Sequence, residues 1–81
     1  MVVEPNPARD EAVVRYSMTR SSRVELALYD AIGRTVKTLV DDQAPAGAHE
    51  VSLDVHGLAR GVYILKLSAG TSVSISKLVL E

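Results

Sequence analysis

The sequence predicts an all-β chain: an immunoglobulin-like antiparallel β-sandwich of about seven strands with Greek-key connections. Three observations predict it. Apolar and polar residues alternate with period two in segment after segment, while a helical repeat is nearly absent. Residues that favour turns, chiefly Gly, Pro and Asp, fall between those segments at regular spacing. Lastly, "LARGVYILKL" (58–67) sets a leucine, a glycine and a tyrosine where such a sandwich crosses from one sheet to the other.

The elements follow in order. "VV" (2–3) is a short edge strand, cut off by Pro5 and Pro7, which cannot donate to a ladder. "AVVRYSM" (12–18) puts Val14, Tyr16 and Met18 on one face and Val13, Arg15 and Ser17 on the other. A helix could tolerate this stretch, but its β-branched Val pair and its alternation favour a strand. "RVELALY" (23–29) repeats the pattern with Val24, Leu26 and Leu28 inward and Ala27 outward. "RTVKTLV" (34–40) is mixed, with Val36 inward and Leu39 the second candidate. "HEVSLDV" (49–55) offers Val51, Leu53 and Val55, and "GVYILKL" offers Tyr63, Leu65 and Leu67. In "TSVSISKLVLE", Val73 and Ile75 alternate with Ser72, Ser74 and Ser76, and the serines are expected on the outward face of a final hairpin.

Turn chemistry fills the gaps. "DAIGR" (30–34) joins two strands, with Gly33 taking the positive φ of a type I turn and G1 bulge. "SAGT" (68–71) gives Gly70 to the last hairpin, and "DDQAPAGA" (41–48) is expected as a longer polar link between the sheets. At Tyr63 the expected arrangement buries the ring and sends the hydroxyl back to a main-chain group upstream, with Leu58 anchoring the loop and Gly61 turning it. That makes the tyrosine a corner and not a catalyst.

Composition bounds the function. Eighty-one residues make a single domain, 1–81, near the size where one core only just offsets conformational entropy. With 47 % apolar residues but three tyrosines, no Phe and no Trp, the core must be aliphatic. A formal charge of −1, with both signs interspersed, gives no electrostatic reason to expect nucleic acid or an anionic membrane. No apolar run is long enough to span a bilayer as a helix. Cysteine is absent, which removes disulfides and thiolate zinc sites. The opening MVVEPNP has no basic region followed by an apolar run, so an exported chain would take its signal from residues upstream.

Candidates for chemistry are sparse. His49 and His56 lie an odd number of residues apart, on opposite faces of any continuous strand, and neither has a ligand two residues further on. Asp41 and Asp42 lack the oxygen-rich spacing of a calcium loop. None of the eight serines sits in a G-x-S-x-G turn. The glycines are scattered singly and cradle no phosphate. No enzyme, cofactor or metal site is expected.

Four segments, taken in order, carry a resemblance: "EPNPARDEAVVRYSM", "VELALYDAIGRTVKTL", "PAGAHEVSLDVHGLARGVYILKLSAG" and the terminal "SKLVLE". Together they resemble the type A C-terminal sorting domain of type IX secretion substrates in Bacteroidetes-like bacteria. Glu4 stands where that family often has an aromatic residue. The absence of tryptophan around Leu53-Asp54 separates the chain from the related flagellar-hook-cap domains. The resemblance implies a non-catalytic signal at the end of an exported cargo, which transits periplasm and outer membrane and ends secreted or at the cell surface. The partners it implies are the type IX translocon, a sortase-like cysteine peptidase and the upstream cargo, with cleavage before Val3 or in a preceding linker. Recognition would fall on Gly61, Tyr63, Gly70, Lys77, Leu78, Val79 and Leu80, with the final strand read by strand addition if it lies at an edge. Deleting Lys77 to Glu81 is then expected to block sorting while the remainder folds. The alternatives are a structural immunoglobulin-like spacer and a carbohydrate-binding accessory module of a secreted multidomain enzyme.

Overall fold

The computed structural model describes Met1–Glu81. It has seven strands and no helix: β1 (Val2–Glu4), β2 (Glu11–Met18), β3 (Ser22–Asp30), β4 (Thr35–Ala44), β5 (Gly47–Asp54), β6 (Gly61–Ala69) and β7 (Ser72–Leu80). They form two antiparallel sheets, one ordered β1-β2-β5 and the other β4-β3-β6-β7. This is the immunoglobulin-like sandwich. The chain changes sheet after β2, β4 and β5, which places β5 beside β2 and β6 beside β3 in Greek-key fashion.

Alternation builds the core as the sequence requires. β2 contributes Ala12, Val14, Tyr16 and Met18, β3 contributes Val24, Leu26 and Leu28, and β6 contributes Tyr63, Leu65 and Leu67. They meet Leu53, Val55, Leu78 and Leu80 in one cluster of 17 buried residues. Each fully buried Leu or Val removes enough apolar surface from water for roughly 1.5–3 kcal/mol, and no buried side-chain polar atom lacks a partner.

Three expectations need correction. The stretch 41–48 is not a loop: β4 runs to Ala44 and β5 starts at Gly47, so only Pro45 and Ala46 join the sheets. Polar residues continue β4 because it is the edge of its sheet and pairs on one side only. The mixed pattern of β4 has a local cause, since the β3–β4 register shifts twice and a bulge switches which face a residue meets. Val36, Leu39 and Val40 are consequently all half-buried against the core. Ala27 does take the outward parity, yet it is shielded, being small and in register with Thr38 and Lys66.

The third correction concerns β7. Ser74 and Ser76 are in register with the inward Leu67 and Leu65, so the serines share the face of Leu78 and Leu80. Val73 and Ile75 point away from the core and are 58 % and 66 % exposed. The buried leucines at 78 and 80 fix this parity, since burying two Leu outweighs burying one Val and one Ile among hydroxyls.

A C-terminal hairpin with a half-sealed edge

The hairpin β6–β7 carries the candidate site. Ala69 pairs with Ser72 across a two-residue loop in which Gly70 has φ +61°, the first position of a type II′ turn. At the other end of β6 stands the corner. Tyr63 is buried, and its Oη donates to the Ala59 carbonyl oxygen at 2.5 Å. Leu58 packs against the core, its N–H donates to Val55 O at 3.2 Å, and Gly61 takes a φ of +143° that side chains disfavour. The hydroxyl therefore spans the β5–β6 crossover as the sequence predicts.

β7 is an edge strand, and its two halves differ. From Lys77 to Glu81 the edge is sealed by the N-terminal segment. Asn6 Nδ2 donates to Lys77 O at 2.8 Å, and Val79 N–H donates to Asn6 Oδ1 at 3.0 Å. Ala8 N–H donates to Val79 O at 2.8 Å, and Glu81 N–H donates to Ala8 O at 2.9 Å. One side-chain amide, having the donor and acceptor of a peptide group, stands in for a neighbouring strand. The bonds before Pro5 and Pro7 are cis. From Ser72 to Ile75, by contrast, every residue is exposed on both faces. Main-chain groups alternate in direction along a strand, so Val73 and Ile75 aim theirs the same way as Val79, into open solvent.

The site residues thus separate into groups. Gly61, Tyr63, Leu78, Val79 and Leu80 gather at one end through the pairs Gly61–Leu80, Val62–Val79 and Tyr63–Leu78. Leu78 and Leu80 are core residues, 0 % and 2 % exposed, so residues 77–81 are not separable from folding, contrary to the truncation expectation. Lys77 is exposed in mid-strand, and Gly70 lies at the far turn. Sequence reasoning missed Asn6 and Ala8, which lie more than 70 residues from their partners in β7. It also missed Val73 and Ile75 as outward residues, although counting back by twos from Leu80 and Leu78 gives that face.

Elsewhere no arrangement resembles a reaction centre. A surface depression near Met1 is lined by Ser17, His49 and Glu50, but their order in the strands divides them. His49 lies on the core side, stacked on Tyr16 at 5.3 Å, and its Nε2 donates to Pro45 O at 2.7 Å. Burial pushes the Tyr16 phenol above its ordinary pKa. Ser17 and Glu50 take the outer face, where Glu50 bonds Arg15 at 3.1 Å. Nowhere do three His, Cys, Asp or Glu side chains converge as metal ligands would.

The chain is thus an all-β, two-sheet immunoglobulin-like sandwich whose last strand lies at a sheet edge. The model of the secretion system C-terminal sorting domain family matches residues 3–81. The chain belongs to that family, the sorting domains of type IX secretion, which serve as signals for export rather than as catalysts. No curated protein matches the chain.

Proposed function

We propose that residues 1–81 act as one sorting unit that takes an upstream cargo through the type IX translocon, across the outer membrane, to the medium or the cell surface. The observation that carries this reading is the family match over residues 3–81. Direct contact falls on Lys77 and Val79, the members of the terminal motif that the core leaves accessible. Gly61, Tyr63, Gly70, Leu78 and Leu80 act by holding the hairpin in register beneath them. A sortase-like cysteine peptidase then cuts N-terminal to β1, because Val3 is already paired with Val14 and its side chain packed in the core.

Fusion to a reporter bearing an export signal, in a bacterium that has the translocon, tests the proposal. The reporter is expected outside the cell, and Lys77→Ala is expected to reduce its delivery without lowering the melting temperature. A reporter retained in the periplasm points instead to a spacer.

A further inference from the structure

We propose that the open half of β7, together with the outward face of β6, docks an extended segment of a partner protein as an added antiparallel strand. The segment carries two aliphatic residues and one carboxylate at alternate positions. The proposal deepens the sorting reading by naming the chemistry of the partner at the same hairpin, and it rests on that reading only for where the partner is met.

The main chain supplies the first argument. Val73 and Ile75 present unpaired N–H and C=O groups, and the Asn6 clamp begins at Lys77, so the free stretch has a defined end. Edge strands left open in this way are usually blunted by charge or proline. Here the two free positions bear aliphatic side chains that are 58 % and 66 % exposed. Beside them on the same face lie Val62, 43 % exposed, and Ile64, so the apolar surface extends over both strands. An incoming strand would set its own aliphatic residues directly opposite Val73 and Ile75, the pairing that stabilises sheets.

Charge selects the occupant. Lys66 is in register with Ile75 and Lys77 with Ile64, so a lysine lies beside each exposed aliphatic pair. Neither lysine is within 4.0 Å of a carboxylate, whereas Arg15 and Arg23 on other strands, and Arg34 in the β3–β4 turn, each have at least one. An acidic residue just past the paired stretch, reaching Lys77 by its side chain alone because Asn6 holds the Lys77 carbonyl, completes the face. Reading antiparallel, the segment runs acidic, polar, aliphatic, polar, aliphatic, its polar positions facing Ser76 and Ser74. A second copy of this chain, paired antiparallel about Ser74, would set Val73 opposite Ile75 but Lys77 opposite Thr71, so it brings no carboxylate to either lysine.

The test is fluorescence anisotropy on the whole 81-residue chain, with a capped, labelled peptide ETVTVT as the probe. Saturable binding is expected, weaker by about tenfold or more for KTVTVT and for ETVTVT N-methylated at both valines. Ile75→Pro should weaken it similarly while keeping the melting temperature, since the lost N–H faces solvent and serves no ladder bond. The N-methylated peptide asks the same question of the unaltered protein. Equal affinity for the methylated peptide, or for KTVTVT, would overturn the proposal, as would an absence of saturable binding. Binding to phosphatidylglycerol vesicles but to no peptide would overturn it in favour of a lipid surface. A chain that binds the peptide but leaves its reporter inside the cell removes the sorting reading and keeps the docking surface. Export by a chain that binds no peptide does the reverse.

Discussion

The two halves of β7 share one hydrogen-bonded partner, β6, and differ in everything else. From Lys77 onward the inward positions are Leu78 and Leu80, and the free edge is covered by Asn6 and Ala8. From Ser72 to Ile75 the inward positions are serines, the outward ones are aliphatic, and nothing covers the edge. The difference teaches where this strand gets its stability. Leucine burial and an edge seal occur together at one end, so that end is part of the fold. The other end is held by the hairpin ladder alone, and its apolar side chains face outward where they contribute little to folding.

Leu78→Ala against Ser74→Ala gives the largest expected contrast. Truncating a fully buried leucine should cost about 2–5 kcal/mol, whereas Ser74, exposed on the same face, should change stability by less than about 0.5 kcal/mol. Chemical denaturation of both variants measures it. Equal effects would erase the distinction between the halves.

Asn6→Ala attacks the seal itself. It strips the partners from Lys77 O and Val79 N–H, and a cost of about 1–2 kcal/mol is expected, limited because water can reach an exposed edge. Amide hydrogen exchange resolves the same point by residue. In the native chain Val79 and Glu81 should be protected and Val73 and Ile75 should exchange rapidly. In the Asn6 variant Val79 should come to resemble Ile75.

Much of the fold around this contrast was legible in the sequence, and the reason is local. Period-two alternation fixed the strands and the core faces of β2, β3, β5 and β6, because each of those faces is decided by residues two apart. The Tyr63 corner was legible too, since Leu58, Gly61 and Tyr63 lie within one short stretch and the acceptor is only four residues away. What escaped was non-local or two-valued. The Asn6 clamp joins the two ends of the chain, and no short-range pattern announces it. β7 admits two faces, Val73 with Ile75 or Leu78 with Leu80, and only the depth of the core chooses between them. β4 escaped in part because its bulges shift the parity that alternation relies on.

Tyr63→Phe sharpens the comparison from the other side of the ladder. Losing the bond to Ala59 O should cost about 1 kcal/mol and leave the ring in place. Tyr63 pairs with Leu78, so the loosening should be felt in the sealed half and should leave the exchange of Val73 and Ile75 unchanged. An unaltered unfolding midpoint would remove the corner reading.

The smallest effect is expected from acid, and it arises at the same end. Asp30 closes the β3–β4 hairpin. Its carboxylate accepts the N–H groups of Arg34 at 2.9 Å and Ile32 at 3.1 Å, and pairs with Arg34 Nε at 2.8 Å. The Arg34 main-chain N–H is the main cause that holds its pKa below the ordinary 3.8, with the Arg34 side chain and Ile32 N–H adding to it. A carboxyl whose folded pKa is depressed contributes stability that is complete above its unfolded value and is lost as pH falls through the folded one. The melting temperature should therefore be insensitive to Asp30 above the ordinary carboxylate range and fall as pH drops below 3.8, with Asp30→Asn flattening that limb. Asp30 is half-buried, but its partner Arg34 is exposed and solvent screens the pair, which is why the effect ranks last. Asp30 is in register with Tyr63 and Tyr63 with Leu78, so acid should speed exchange at Leu78 and Val79 before it alters anything at Ser74. Exchange that rises first at Ser74 would mean that the sealed half is not the better anchored of the two.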